Sequence, residues 1–384
     1  MTNVSIIGIG QTDVGEHWDT SLRHLAWYAI EAAMDDAATM DIDALYVGNM
    51  LAGHLAQQDH LGALIADFAG LRGIEAVTVE AAEASGGAAV RQAYLAVKSG
   101  LVQTALVVGV EKMTDRTGNA AVTGLASGLD ADYEAMHGLT PAAVAALLMR
   151  RYLYEYGLEP ADLAGFSVNA HANASQNPHA FLRNRIATPL PASPLVADPV
   201  AVLDVAPAAD GAAALILTDS ERAMDMVPQP IRIAGSALAT DTIALHDRRD
   251  PLWLKAAAQS TQKALAMAGL AAAEVDVLEL HDSFSIMAAL SLEAGGYAER
   301  GRGWELARDG VIGRDGGLPM STFGGLKARG YPGGATGVYQ MVEVVQQLRG
   351  AAGPCQVANA EVGLTQNLGG SGATAVTHVL KVEG

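Results

Sequence analysis

Thiol chemistry is almost missing from this chain. Its 384 residues include one cysteine, Cys355, so an internal disulfide is excluded. Cys355 lies in Pro354-Cys355-Gln356-Val357-Ala358-Asn359, which reads as a strand carrying a buried, inert thiol. Aromatic residues make up only 5%. No apolar run approaches the roughly 18 residues of a membrane helix. The start, Met1-Thr2-Asn3-Val4-Ser5-Ile6-Ile7-Gly8, has no basic region ahead of an apolar signal core, so a cytoplasmic location is expected. Cations are outnumbered, 24 Lys and Arg against 42 Asp and Glu, for a net charge of −18. That balance argues against nucleic acid or an anionic membrane as the main partner. Gly8-Ile9-Gly10 with Gly15 lacks the glycine a dinucleotide fingerprint needs at position 13. No Walker loop is present, and the spacing of His171 and His179 fits no standard metal site, so no metal is expected.

What is abundant is apolar sequence, half of the chain, together with 42 glycines. This length and composition suit a large core of two to three domains. Strand and helix patterns alternate. Ser5–Gly8, Ala44–Val47, Ala76–Val79 and Ala105–Val110 read as strands, with Ala76–Val79 buried. Ser21–Asp36 and Ser85–Lys98 read as helices. The segment from Thr114 to Pro199 interrupts the rhythm, mixing helical stretches such as Pro141–Tyr156 with irregular sequence such as Asn173–Asn184. The pattern resumes with a strand over Asp210–Leu217. The second half repeats it: strands over Ile231–Gly235, Val275–Leu280, Val357–Ala360 and Ala373–Val379, and helices over Leu252–Ala268, Ser283–Leu292 and Gly337–Leu348. The class is α/β. In each half a strand runs into a helix through a polar turn, Val79 to Glu83 and Leu280 to Ser283, which suggests an internal duplication.

Four stretches carry candidate chemistry. Glu83 sits between a strand and a helix start, where free N–H groups stabilise an anion and burial opposes it. A carboxylate balanced between the two suits general acid–base work. His281-Asp282-Ser283-Phe284 occupies a similar turn and faces the same end of the sheet if the halves are duplicated. Gly324 to Gly337 is glycine-rich around Tyr331, which implies close backbone approach. Asn367-Leu368-Gly369-Gly370-Ser371-Gly372 reads as a loop whose N–H groups could form an oxyanion hole. Each of these, taken alone, is also compatible with a plain structural turn or cap.

In this order, with His171-Ala172-Asn173-Ala174, Asn177-Pro178 and Ala197-Asp198-Pro199, the motifs resemble the thiolase superfamily, nearest its sterol-carrier-protein and archaeal branch. The resemblance implies two duplicated βαβαβαββ halves in a five-layered α-β-α-β-α arrangement with an inserted loop domain. The halves would be 1–113 with 200–228, and 229–384. The loop domain, 114–199, would bind coenzyme A. It also implies an acyl-CoA thioester as substrate, no permanently bound cofactor, and a homodimer or homotetramer. Such a polyanionic substrate needs a local cationic patch, for which Lys112, Arg116, Arg150, Arg151, Arg183 and Arg185 are candidates.

The departures from the family pattern bear on chemistry. Glu83 stands where thiolases carry the nucleophilic cysteine, and Ser283 replaces the cysteine of the His-Asp-Cys-Phe motif. Tyr331 replaces the histidine of the Gly-His-Pro motif, and the loop at Gly370 carries no cysteine. Thiolysis needs a thiolate with a base beside it. Members that resemble thiolases without the cysteine cleave β-hydroxyacyl-CoA by retro-aldol chemistry, often with a small partner carrying an OB-fold and a zinc ribbon. On that resemblance Glu83 or Tyr331 would handle the hydroxyl proton, while His281 and the Gly370 N–H would hold the enolate oxygen. A retained histidine at position 281 departs from that branch, which tends to have tyrosine there. The alternatives are thiolase-type acyl transfer, as in acetyl-CoA acetyltransferases, and a catalytically silent subunit of a complex. Pocket lining is expected from 114–199 and from the stretch after Ser283, including Met287 and Tyr297.

Overall fold

The structure is a computed structural model and describes residues 3–187 and 193–383. Residues 188–192 of the inserted segment lie outside the described residues. The strands are β1 (Val4–Gln11), β2 (Ala44–Gly48), β3 (Glu75–Val79), β4 (Thr104–Glu111), β5 (Leu195–Ala197), β6 (Val200–Ala201), β7 (Gly211–Asp219), β8 (Ile231–Thr240), β9 (Val277–Leu280), β10 (Val362–Gly369) and β11 (Thr374–Val382). The α-helices are α1 (Leu22–Ala37), α2 (Leu61–Phe68), α3 (Ser85–Ser99), α4 (Ala120–Leu125), α5 (Pro141–Tyr156), α6 (Ala164–Ala174), α7 (Ser220–Met226), α8 (Lys255–Ala268), α9 (Ser285–Ala294), α10 (Gly303–Arg308) and α11 (Thr336–Leu348).

Nine strands are hydrogen-bonded in the order β3-β2-β4-β7-β1-β8-β11-β10-β9. Reading outward from the β1–β8 junction shows the duplication. On one side β1–β7 and β7–β4 are antiparallel, and β4–β2 and β2–β3 parallel. On the other, β8–β11 and β11–β10 are antiparallel and β10–β9 parallel. The counterpart of β3 shrinks to a single parallel bridge, Leu278 to Met320. In the sheet, β1 and β8 join the two halves through the pairs Ser5–Arg232 and Ile6–Ile231.

The core divides as period-two side-chain alternation requires. One face of the first half, including Ile7, Leu45, Val47, Leu106 and Val108, packs under α1 and α2. Its other face, including Ile6, Ala105, Val107 and Leu215, packs on α3 and α11. Ile233, Val277 and Leu380 of the second half reach the same two helices. The far face of the second half, including Leu278, Leu364 and Val379, packs under α8 and α9. The layers are therefore α1/α2, sheet, α3/α11, sheet, α8/α9, and this is the thiolase fold. Gly8 and Gly10 serve α1 rather than a cofactor. A Cβ at either would lie 2.3 or 2.1 Å from a carbonyl oxygen of that helix.

Several expectations need correction. Strand β3 is not buried: it is the sheet edge, and Val77 is 50% exposed. The segment 357–360 is not a strand. The strand is β10, which begins at Val362 and absorbs Asn367, Leu368 and Gly369 from the expected loop. Cys355 is buried as expected, but in a short 3₁₀ turn, Gly353–Cys355. His281 follows β9 and so corresponds to Asn49 after β2. The counterpart of the Glu83 turn is the stretch after Met320. The expected cations form no single patch. Lys112 is buried on Asp210, Arg150 pairs with Asp198, and Arg151 pairs with Glu155. The guanidiniums of Arg116, Arg183 and Arg185 are held by Leu55, Pro178 and Ser175.

The two central helices meet at their N-terminal ends. A Cβ on Gly337 would lie 2.2 Å from the Asn367 Oδ1 and 2.3 Å from the Gly87 nitrogen. Nothing larger than hydrogen fits there without moving backbone. Gly337→Ala is expected to destabilise the fold by about 3 kcal/mol or more, the upper range for overpacking. Urea denaturation of the variant against wild type checks this.

Candidate active site

The turn after β3 is locally strained. Ala82 has φ of 51°, a left-handed conformation that a residue with a Cβ disfavours. The turn is held by its own side chains: Glu80 Oε1 accepts from the Ala82 N–H at 2.6 Å. Ser85 Oγ accepts from the Ala81 N–H and donates to the Ala82 carbonyl. This presents Glu83 just before α3, at 4% exposure. Glu83 Oε2 accepts from the Gly370 N–H at 2.6 Å. Burial pushes the Glu83 carboxyl above its ordinary pKa, and the Gly370 N–H only partly offsets this.

Asn367 on β10 ties three segments together. Its Oδ1 accepts from the Gly87 N–H at 3.2 Å, which orients the amide. Its Nδ2 then faces the Glu83 carbonyl at 3.2 Å and the His281 Nδ1 at 3.0 Å. His281 Nδ1 is therefore an acceptor, and its Nε2 carries the proton. Burial, helped by the charge of Arg329, lowers the His281 pKa to about 3, so the ring is a neutral donor at ordinary pH.

The Tyr331 backbone is fixed by bonds to Pro207 and Ala209. Its ring meets the His281 ring edge-on, with centroids 5.7 Å apart. Burial raises the Tyr331 phenol well above its ordinary value, and the neighbouring Glu83 carboxylate raises it further. Both effects favour the protonated phenol beside Glu83.

Glu83, Tyr331 and Gly370 line one pocket, and His281 packs edge-on against the Tyr331 ring. Its walls are apolar: Leu125 and Leu129, then Pro141, Val144 and Leu148 of α5, and Phe284 and Met287. Helix α5 is well specified locally. The Thr140 hydroxyl caps it at the Ala143 N–H, Pro141 opens it, and Gly157 closes it with φ of 67°. Met287 lines the pocket as expected. Tyr297 does not, and packs half-buried against the core of the second half.

The four expected residues thus converge, with one change of role. The Gly370 N–H is already taken by Glu83, so it is not a free oxyanion donor. Two further residues were not foreseen. Gly128 of the inserted segment lies on the site, since a Cβ there would be 3.4 Å from Glu83 Oε2. Glu111 at the end of β4 accepts from the Met50, Leu51 and Gly334 N–H groups and from Asn49 Nδ2. Burial raises its pKa to about 7. Its place just before Lys112 gave no sequence signal, because its partners are distant in the chain. The lone thiol, Cys355, packs with Phe323 and Ala352, away from this pocket. Among the described residues no group of His, Cys, Asp or Glu could hold a metal ion, and no helix is long and apolar enough to cross a membrane.

This fold and site define a thiolase-type α/β enzyme. A profile described as the thiolase N-terminal domain matches residues 4–191, and one described as thiolase C-terminal domain-like matches 237–382. An acetyl-CoA acetyltransferase of Methanothermobacter thermautotrophicus is 44% identical over 382 residues, 99% of each chain. The benzoylsuccinyl-CoA thiolase subunit BbsB of Thauera aromatica is 30% identical over 352 residues, covering 90% of this chain and 89% of that protein. The solved Ltp2-ChsH2(DUF35) aldolase superposes with a TM-score of 0.85 at 24% identity, over 99% of this chain and 98% of that one. The chain belongs to the thiolase family.

The buried histidine gives a signed pH effect. The unfolded side chain takes up a proton near pH 6.5, while His281 in the fold resists it until about pH 3. Its contribution to stability is complete above pH 6.5 and is lost as pH falls through that window. Relative to His281→Gln, wild type is expected to lose up to about 1.4 kcal/mol per pH unit below 6.5, with no pH-dependent difference above it. Denaturant titrations at a series of pH values check this.

Proposed function

We propose that this enzyme makes or breaks a carbon–carbon bond in an acyl-CoA thioester without a covalent acyl-enzyme, most simply by retro-aldol cleavage of a β-hydroxyacyl-CoA. The observation that carries this is a buried carboxylate, Glu83, facing an apolar pocket that holds no thiol. Glu83 takes the β-hydroxyl proton, the Cα–Cβ bond breaks, and the carbonyl product departs. The bonding pair moves into the thioester as an enolate. The proton on Glu83 then returns to Cα, giving the shorter acyl-CoA and the starting carboxylate. A carboxyl raised by burial is a stronger base than a solvated one, which suits the first step. Tyr331, protonated, steers Glu83, and the His281 Nε2–H is a donor for the enolate oxygen. The apolar walls suit an apolar acyl group, covered by the inserted segment.

Acyl transfer is the second reading, and the names of the relatives support it better than they support an aldolase. Without a thiol it needs an acyl-glutamyl anhydride at Glu83 or direct transfer between bound thioesters. The assay separates the readings by mass spectrometry, using β-hydroxyacyl-CoA alone and β-ketoacyl-CoA with free CoA. Cleavage of the first, lost in Glu83→Gln with CoA binding retained, is the expected outcome, and its acid limb should lie above the ordinary carboxylate range. Thiolysis of the second, or a hydroxamate at Glu83 after hydroxylamine, would establish acyl transfer instead. No turnover of either would point to a silent subunit. A small partner protein belongs in the assay by the same reading, since the aldolase of this fold was solved with one.

We also propose a homodimer. Strand β3 offers an uncovered edge of unpaired backbone groups beside the Glu83 turn, with Val77 half exposed. Val77→Asp is expected to shift the protein toward monomer in light scattering coupled to size exclusion.

A further inference from the structure

The proposed enolate needs more than one donor, and the protein has spent one of the two expected. The Gly370 N–H is committed to Glu83 Oε2 at 2.6 Å. That leaves the Nε2–H of His281, whose Nδ1 is occupied by Asn367. An oxyanion stabilised by a single neutral donor is poorly served in an apolar pocket.

The pocket lining offers few replacements. Besides Glu83 and Tyr331, the polar side chains in it are Ser283 and Ser371. Tyr331 lies beside Glu83. Ser371 Oγ accepts from Arg248 Nη2 at 3.0 Å, and its carbonyl from Nη1 at 3.0 Å, which leaves its own proton to donate but ties it to Arg248 on a different segment from His281. Ser283 differs. It is 8% exposed, and that exposure opens into the pocket. Its backbone is rigidly placed: its carbonyl accepts from the Ala206 N–H at 2.9 Å, and Phe284 bridges to Val205. Ser285 then anchors the start of α9 through its hydroxyl on Asp204 at 2.7 Å. Ser283 also lies two residues from His281 in the same turn, so both donors are carried by one short stretch of backbone.

We propose that Ser283 is a catalytic residue whose hydroxyl donates to the thioester oxygen as it becomes an enolate, in the place left by the committed Gly370 N–H. No bond to Ser283 forms or breaks. Its proton stays on Oγ throughout, and the charge it meets is cancelled when Cα is reprotonated. This inference rests on the cleavage reading above. A hydroxyl on a fixed turn is pre-aimed, so its worth is realised as charge develops and not when the ground state binds.

Ser283→Ala, Ser283→Cys and wild type are compared for β-hydroxyacyl-CoA cleavage, with CoA binding and thermal melting measured alongside. Ser283→Ala is expected to lower kcat by about 100-fold, the loss typical of one oxyanion donor, while KM and melting change little. Ser283→Cys, a weaker donor of similar size, should fall between the two. If wild type cleaves and Ser283→Ala keeps kcat within twofold, Ser283 is not the donor. A rise in KM alone would also overturn the proposal, because it would assign Ser283 to binding. If wild type itself fails to cleave the β-hydroxyacyl-CoA yet thiolyses the ketoacyl-CoA, the cleavage reading falls and Ser283 falls with it.

Discussion

The site depends on one side-chain amide. Asn367 comes from β10 in the second half and accepts from Gly87 in the first turn of α3, in the first half. Its two N–H groups go to the Glu83 carbonyl and to His281. All of these partners are out of water, so each bond left unmade would cost about 1–3 kcal/mol. A single side chain thereby sets the Glu83 turn, the histidine tautomer and the contact between central helices. The requirement propagates into sequence. Gly337 must lack a side chain because the amide oxygen occupies the space a Cβ would take.

A second carboxylate plays a related part. Glu111 receives N–H groups from the turn after β2 and from Gly334 in the glycine-rich stretch of the other half. The same stretch carries Lys327, whose ammonium is buried on the carbonyls of Leu203 and Asp204, where burial lowers its pKa to about 8. Buried charges of this kind are costly, and replacing them with apolar groups can be neutral for stability. Each nonetheless joins segments more than a hundred residues apart, Glu111 to Gly334 and Lys327 to Asp204.

Much of the fold was legible in the sequence. Helix α5 is bounded as its Thr140-Pro141 start and Gly157 end dictate, and the alternation of buried strands and helices gave the α/β class. The failures share a cause. Strand β10 ends in Asn367-Leu368-Gly369, a composition that reads as loop, and it is a strand because Leu368 and Asn367 face different layers. Strand β3 carries the apolar pattern of a buried strand, and only the strand order reveals it as an edge. The convergence of Glu83, His281, Tyr331 and Gly370 was legible through the family pattern. The commitment of the Gly370 N–H to Glu83 was not, because no local pattern records which acceptor a distant backbone group will find. Glu111 and Gly128 escaped for the same reason, and so did the contacts of Asn367, although its stretch was singled out.

On the family resemblance, Glu83 would put a carboxylate where a thiolase carries its sulfur, and that would change what the surrounding parts can do. A thiolate gains from nearby positive dipoles because they raise its population near neutral pH. A carboxylate in the same place is ionised without help, and the fold works against it by burial while the Gly370 N–H partly restores it. The result is a group poised to exchange a proton, in a pocket too apolar to stabilise a leaving thiolate at large. Tyr331 fits this exchange. An imidazole at that place would act as a base toward a thiol, whereas burial favours the protonated form of the phenol. Substituting both partners therefore preserves a matched pair, one acceptor and one donor, with the proton now shared over oxygen. Under the proposed cleavage reading, the two positions, far apart in the chain, would act together as one acid–base site.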